Sequence, residues 1–237
     1  MDIRGKDQTR YWGKRAKSYG SQYGLDTMTT KIKVKRKVDL LFRHIRQSDA
    51  ILEIGCGTGI YTKEIAERSN NFVASDLSLE MLEEAKKNNP KVEFRHLDAR
   101  KLDVDDASYD VVISCFVLQH VDMVLVLPEI HRVLRTGGRM SALVPNILNP
   151  LHYGRARSKI ARAILKENSN SEDLTRWVWE RALKKYGFPR SEIIPVEFTS
   201  SYVPTNLANL GITVSKVLEK IPVVRELAGT LIITAWK

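Results

Sequence analysis

ILEIGCGTGIYTKEIAER, residues Ile51–Arg68, sets three glycines at alternate positions between a short apolar run and a helix-like segment. Glycine at the junction of a strand and a helix lets the backbone approach a ligand with no Cβ in the way. The helix start adds free N–H groups and a positive dipole end, suited to a carboxylate or a phosphate. A dinucleotide fingerprint would read G-x-G-x-x-G, with its third glycine at position 60. That position is Ile60, and the spacing Gly55-x-Gly57-x-Gly59 counts against NAD or FAD. A bare turn that happens to need glycine is the rival reading.

The flanking pattern decides against the bare turn. From Ala50 onward, strands are expected at 50–54 (AILEI), 71–76 (NFVASD), 91–98 (KVEFRHLD), 109–116 (YDVVISCF) and 138–145 (GRMSALVP), the last after a turn at Gly137-Gly138. Helices are expected between them at 61–69, at 78–89 with Ser78 as N-cap, and at 124–135. Such alternation implies βαβ units and a parallel sheet covered on both faces. Ahead of it, 31–46 puts Val34, Val38, Leu41, Phe42 and Ile45 on one helical face, with Lys31, Lys33, Lys35, Arg36 and Lys37 near its start. Beyond Pro150 the alternation stops. Residues 151–186 look helical, 192–198 reads as a strand, and a further stretch precedes a final strand at 229–236.

The 237 residues are enough for one sizeable α/β domain with its own core. A hydrophobic content of 43% and a charged content of 28% are ordinary for a soluble globular protein. No stretch approaches the roughly 18–20 apolar residues of a membrane span. MDIRGKDQTRYWGKRAK at the start lacks an apolar h-region, so a secretory signal is not expected. Cys56 and Cys115 make no disulfide framework, and no cysteine–histidine spacing suggests zinc. A cytoplasmic, reduced protein without a metal is the expectation. The net charge of +10 is unevenly spread, with +8 in residues 1–50, −4 in 51–150 and +6 in 151–237. Basic flanks imply either an anionic partner or solvated helix faces.

Three further features fall where the glycine loop requires them. Asp76 ends the second strand, 21 residues after Gly55, where a carboxylate can accept both hydroxyls of a ribose; capping the next helix is its rival role. Asp98 ends the third strand and precedes Ala99-Arg100, where acid or backbone groups would meet an adenine edge; a loop acid without a ligand is the alternative. Phe116 to His120 follow the fourth strand, at the carboxyl edge where open α/β sheets hold ligands.

Taken with YDVVISCFVLQHV and HRVLRTGGRM, these motifs resemble the class I S-adenosylmethionine-dependent methyltransferases, most closely the small-molecule group that includes ubiquinone/menaquinone-biosynthesis enzymes. The resemblance runs from Tyr11 to Val144 and resumes near Thr230–Trp236, and YWGKRAKSY is similar to that group's segment folding over the cofactor. It implies an α/β, Rossmann-like three-layer sandwich with a mostly parallel seven-stranded sheet, an antiparallel last strand and helical lid insertions. As one domain, 1–48 would form basic N-terminal helices, 49–145 the cofactor-binding core, 146–186 a lid, and 187–237 the closing strands around an inserted 199–229 segment.

The resemblance also implies site roles. The loop Gly55, Cys56, Gly57 and Gly59 would pass the methionyl part of S-adenosylmethionine, with Glu53 at its ammonium. Asp76 would hold the ribose, Leu77 and Met81 would pack the adenine, and Asp98 and Ala99 would meet its amine. Phe116 would line the methyl-donor side and Tyr19 would close over it.

Methyl transfer needs a general base only if the acceptor must first lose a proton. His120 is the best-placed candidate, with a structural hydrogen-bonder as its rival, and His152 is a second. No metal cluster is visible, which disfavours a magnesium-dependent catechol mechanism. The acceptor is expected to be a small molecule, amphipathic or anionic. Residues 155–166 (RARSKIARAILK) form a basic amphipathic segment for an anionic substrate, a peripheral membrane contact or a solvated lid. Trp177 and Trp179 would line an apolar pocket or anchor the lid. Cys56 and Cys115 either interact at the cofactor mouth or are inert packed thiols. A nucleic-acid methyltransferase stays open because of the basic flanks, although Ser114-Cys115-Phe116-Val117 is no Asn-Pro-Pro-aromatic motif. So does a non-catalytic cofactor-binding protein. The oligomeric state is not legible.

Overall fold

The computed structural model describes residues 8–22, 27–149, 175–199 and 205–237. Its centre is Ala50–Ile54 (β1), buried at every position. A strand buried on both faces needs neighbours on both sides, and β1 pairs in parallel with Asn71–Asp76 (β2) and Tyr109–Cys115 (β4). Glu93–His96 (β3) extends the sheet beyond β2, and Leu134–Pro145 (β5) beyond β4, again in parallel. Thr230–Trp236 (β7) inserts antiparallel between β5 and Arg190–Val196 (β6). The order is β3-β2-β1-β4-β5-β7-β6, seven strands with one reversed.

Side chains alternate across this sheet and build a core on each face. On one face Leu52, Ile54, Val112 and Met140 pack with Val126, Leu127 and Ile130 of Met123–Val133 (α6) and with Trp179 and Leu183 of Arg176–Lys185 (α7). On the other, Ile51, Val111, Ile113 and Leu143 meet Val34, Val38 and Leu41 of Met28–Leu41 (α3) and Ile65 of Ile60–Ala66 (α4). Helix, sheet and helix make three layers. Leu79–Asn88 (α5) follows β2, and its Ser78 N-cap accepts the Met81 amide at 3.2 Å. Gln8–Gly13 (α1) and Ala16–Gln22 (α2) lie ahead of α3, while Ala208–Leu218 (α8) and Pro222–Arg225 (α9) lie between β6 and β7.

Several local expectations need correction. The helix expected over 31–46 starts at Met28, because Thr27 caps the Thr30 amide, and it ends at Leu41 in a 3-10 turn over Phe42–His44. Lys33 and Lys37 in it are buried. The fifth strand begins at Leu134 instead of Gly138. The Gly137-Gly138 step is a register irregularity against β4, with Gly137 at φ +77°. Trp179 is fully buried in the core and anchors α7, so it lines no open pocket; Trp177 is exposed. His152, the 155–166 segment and most of the expected lid lie outside the described residues. Among the described residues no helix is long and apolar enough to cross a membrane.

Candidate active site

The carboxyl ends of β1, β2, β4 and β6 share one edge of the sheet. There the three loop glycines have different tasks. Gly55, Gly57 and Gly59 all adopt positive φ (68°, 55° and 83°), a region that costs other residues energy. A Cβ on Gly55 would lie 2.4 Å from Val117, and one on Gly59 would lie 2.3 Å from the Asn89 side chain and 3.3 Å from the Ala85 Cα. A Cβ on Gly57 would meet nothing within 4 Å. Gly55 and Gly59 therefore permit close packing, while Gly57 faces open space. Asn88 and Asn89, at the end of α5, hold the loop by donating to the Thr58 and Gly59 carbonyls at 2.9 and 3.0 Å.

Two carboxylates flank that loop. Asp76 accepts the Gly57 amide on Oδ2 at 2.8 Å and the Ser78 amide on Oδ1 at 2.9 Å. Burial pushes its pKa up, against the pull of the Ser78, Gly57 and Leu77 amides. Glu53 is buried in β1, where Oε2 accepts the Thr62 hydroxyl at 2.7 Å and Oε1 has no hydrogen-bond partner among the described residues. Burial raises its pKa to about 7, the Thr62 bond opposing this and the Asp76 charge adding to it. A buried acceptor without a donor costs free energy, which a ligand cation recovers.

Residues 52–142, from β1 into β5, match the family described as Methyltransferase domain. Demethylmenaquinone methyltransferase of Chlorobaculum tepidum is 30% identical over 169 residues, covering 64% of this chain and 70% of that protein. The chain belongs to the class I S-adenosylmethionine-dependent methyltransferases. Malonyl-[acyl-carrier protein] O-methyltransferase of Hamiltonella defensa is 36% identical over 89 residues, 37% of this chain, which spans only 34% of that protein. A solved S-adenosylmethionine-dependent methyltransferase of Thermotoga maritima, described as a possible histamine N-methyltransferase, shares the fold. Its TM-score is 0.70 at 15% identity, over 97% of this chain and 99% of that one.

This methyltransferase uses S-adenosylmethionine, and the residues present fit that group. Its ammonium matches the unpartnered Glu53 Oε1, and the open side of Gly57 leaves room beside the Asp76 carboxylate. Met81 is buried and Leu77 half-buried just beyond Asp76. The Leu77 carbonyl lies 2.8 Å from His96 Nε2. Asp98 is less available than the sequence suggests. Arg100 binds both its oxygens, at 2.9 Å from Nε to Oδ1 and 2.7 Å from Nη2 to Oδ2. Burial works to raise the Asp98 pKa, but the Arg100 bonds outweigh it and hold the carboxyl below its usual range. Ala99 is half-buried against the core.

On the opposite side of the loop, Phe116 takes φ +59° where β4 ends, a strained conformation for a bulky side chain. Its ring centroid lies 6.0 Å from that of Tyr61. The N-terminal helices close this edge. Trp12 of α1 stacks edge-on with His120 at 5.1 Å and with Tyr19 at 6.1 Å, and Gln8 donates to the His120 carbonyl. Burial lowers the His120 pKa to about 4. A neutral imidazole of such low basicity is a poor proton acceptor at neutral pH, which favours the structural reading. Cys56 and Cys115 pack in separate clusters, both buried and both with thiol pKa pushed up by burial, so neither is a reactive thiolate.

A further cluster at this edge was not anticipated. Lys33 and Lys37, one turn apart on α3, converge on Glu197 just past β6. Lys33 Nζ reaches Glu197 Oε1 at 3.0 Å and donates to the Thr199 carbonyl at 2.9 Å, and Lys37 Nζ contacts Glu197 Oε2. All three side chains are about nine-tenths buried, and Glu197 is held at φ +77°. Lys37 Nζ also stands 5.3 Å from the Phe116 ring centroid. Two ammonium groups face one carboxylate here. Burial lowers the Lys33 pKa despite Glu197, whereas both lysines overcome the burial of Glu197 and lower its pKa. Only the apolar face of 31–46 was legible; the helical i, i+4 spacing of two lysines was the available signal.

Proposed function

We propose that this methyltransferase transfers the methyl group to a small molecule bearing an anionic group, and that the site residues divide along the edge of the sheet. Glu53 takes the cofactor ammonium, Gly55, Cys56, Gly57 and Gly59 pass its methionyl part, and Asp76 accepts the ribose hydroxyls. Leu77 and Met81 pack the adenine, Asp98 and Ala99 meet its amine, and Phe116 and Tyr19 border the methyl. The cofactor supplies a methyl already activated on a sulfonium, so transfer is an in-line displacement governed by alignment and exclusion of water. Trp12 and Tyr19 on one side and Phe116 with Tyr61 on the other provide an apolar enclosure for that step.

The observation that carries the acceptor class is the Lys33–Lys37–Glu197 cluster beside Phe116. Two lysines desolvated at the methyl-donor side favour an acidic group on the acceptor. Calorimetric titration with S-adenosylmethionine, with NAD as control, tests the cofactor site; micromolar binding lost in Asp76→Ala is expected. Release of S-adenosylhomocysteine is then measured over matched pairs of carboxylic acids and their methyl esters. Turnover of acids in preference to esters, with KM raised in Lys37→Met, supports the acceptor class. Preference for the esters sinks it.

A further inference from the structure

Helix α8 is apolar on two opposite faces. Ala208, Ile212 and Ser215 are buried against 197–199, where the Phe198 amide donates to Ser215 Oγ at 2.9 Å and the Glu197 amide to Glu219 Oε1 at 2.8 Å. On the other side Leu207, Leu210, Val214 and Val217 recur at helical spacing, and Ile221 continues the row. These five side chains are 44–61% exposed, and Val223, just beyond, is 80% exposed. A helix with a second apolar row ordinarily buries that row too. This one is covered on one side only, and a contiguous exposed apolar row of this kind marks an interaction surface.

The charges around the row indicate what covers it. Lys216 and Lys220 beside it are exposed and have no ion-pair partner among the described residues. The acids of the same segment are engaged from elsewhere, Glu219 by Arg36 at 2.5 Å and Glu226 by Arg176 at 3.0 Å. Among the described residues this segment therefore offers an exposed apolar row and exposed lysines, while both of its acids are engaged. That combination matches a bilayer surface, where apolar groups enter the acyl boundary and lysines meet anionic headgroups.

We propose that the outer face of α8 with Ile221 and Val223 docks the enzyme on an anionic membrane surface. The same segment holds the 197–198 backbone with its inner side, so the docked helix would lie between the lysine cluster and the lipid. The test is sedimentation of the full-length protein with vesicles of phosphatidylcholine alone or with about a third phosphatidylglycerol. The wild type is expected to pellet with the anionic vesicles and about tenfold less tightly with the neutral ones. The double variant Val214→Asp, Val217→Asp should bind the anionic vesicles at least about tenfold more weakly, with circular dichroism and S-adenosylmethionine affinity unchanged. Lys216→Glu with Lys220→Glu should lose the preference for anionic lipid. Wild type left in the supernatant with both vesicles, or bound equally to both, would overturn the proposal. So would double-Asp protein that pellets like wild type, since another surface would then carry the contact. A dimer in light scattering that the double-Asp variant splits would assign the face to a second copy instead.

Discussion

Gly57 and Asp76 are tied together by one hydrogen bond, from the glycine amide to Oδ2 at 2.8 Å, while Oδ1 of the same carboxylate holds the Ser78 amide at 2.9 Å. One side chain thus fixes both the glycine loop after β1 and the start of α5. Asp76→Ala is expected to lower folding stability by about 1–3 kcal/mol, because two backbone donors lose their acceptor. It should also weaken S-adenosylmethionine binding by more than about tenfold. Denaturant unfolding and calorimetry on the same preparation separate the two effects. Unchanged affinity would remove Asp76 from the cofactor site.

The loop glycines should answer differently to alanine. In Gly59→Ala the added Cβ meets Asn89 and the Ala85 backbone, so the Asn89 clamp breaks and about 3 kcal/mol or more of stability is lost. Gly57→Ala meets no atom and bears only the left-handed backbone cost of about 1–2 kcal/mol. Its Cβ would, however, occupy the space beside Asp76. Near-native melting with lost cofactor binding is expected for Gly57→Ala, and a large drop in melting temperature for Gly59→Ala.

Glu53 couples binding to protons. Its pKa is about 7 in the folded protein, against an ordinary value of 4.5. Below pH 4.5 the group is neutral in both states and has no effect. As pH rises toward 7 the unfolded chain loses this proton first, and the folded state becomes less stable by on the order of 3 kcal/mol. Glu53→Gln should recover most of that above pH 7 and nothing in acid, while weakening S-adenosylmethionine. Wild type should release protons on binding near pH 7, read as a dependence of the binding enthalpy on the buffer. The variant should release none from this site.

His120 predicts an acid limb of the opposite sign. Its pKa falls from an ordinary 6.5 to about 4 on folding. Its contribution is complete above pH 6.5 and is lost as pH falls toward 4, on the order of 3 kcal/mol in all. His120→Asn should flatten this part of the stability profile, measured by chemical denaturation from about pH 4 to 7. The pH dependence of kcat between about pH 6 and 9 should be the same in the variant. An inflection lost on substitution would restore His120 as the base.

Glu197 holds two buried lysines, and removing it alone should be costly. Glu197→Gln removes the carboxylate that both ammonium groups share and is expected to destabilise by about 3–5 kcal/mol. Adding Lys33→Met and Lys37→Met to that variant should restore much of the loss, since apolar groups of similar volume need no partner. Thermal unfolding of the single and triple variants provides the comparison.

The core of the fold was legible because its signals are local. AILEI and NFVASD become β1 and β2 over the expected residues, and Ser78 caps α5 as its position implies. Asp76 was legible by its spacing from Gly55 of the loop, though its direct bond to the Gly57 amide was not. Asp98 was expected to end the third strand, but β3 stops at His96 and Asp98 lies just beyond it, where its engagement by Arg100 depends on a side-chain conformation that spacing does not encode. Trp179 looked like either a pocket wall or an anchor, and only packing between α7 and the sheet decided for the anchor.

From the sequence alone came the alternating strands and helices, the glycine loop whose spacing counts against a dinucleotide, and the acids at the strand ends. Periodicity and spacing act over a few residues, so a chain read in one dimension carries them intact. The tertiary structure alone decided that Lys33 and Lys37 turn inward to Glu197, more than 150 residues away. It also decided that Glu53 keeps an unpartnered oxygen and that α8 leaves one apolar face uncovered. Burial and charge pairing arise between segments distant in sequence, and they exist only once the sheet has brought those segments to the same edge.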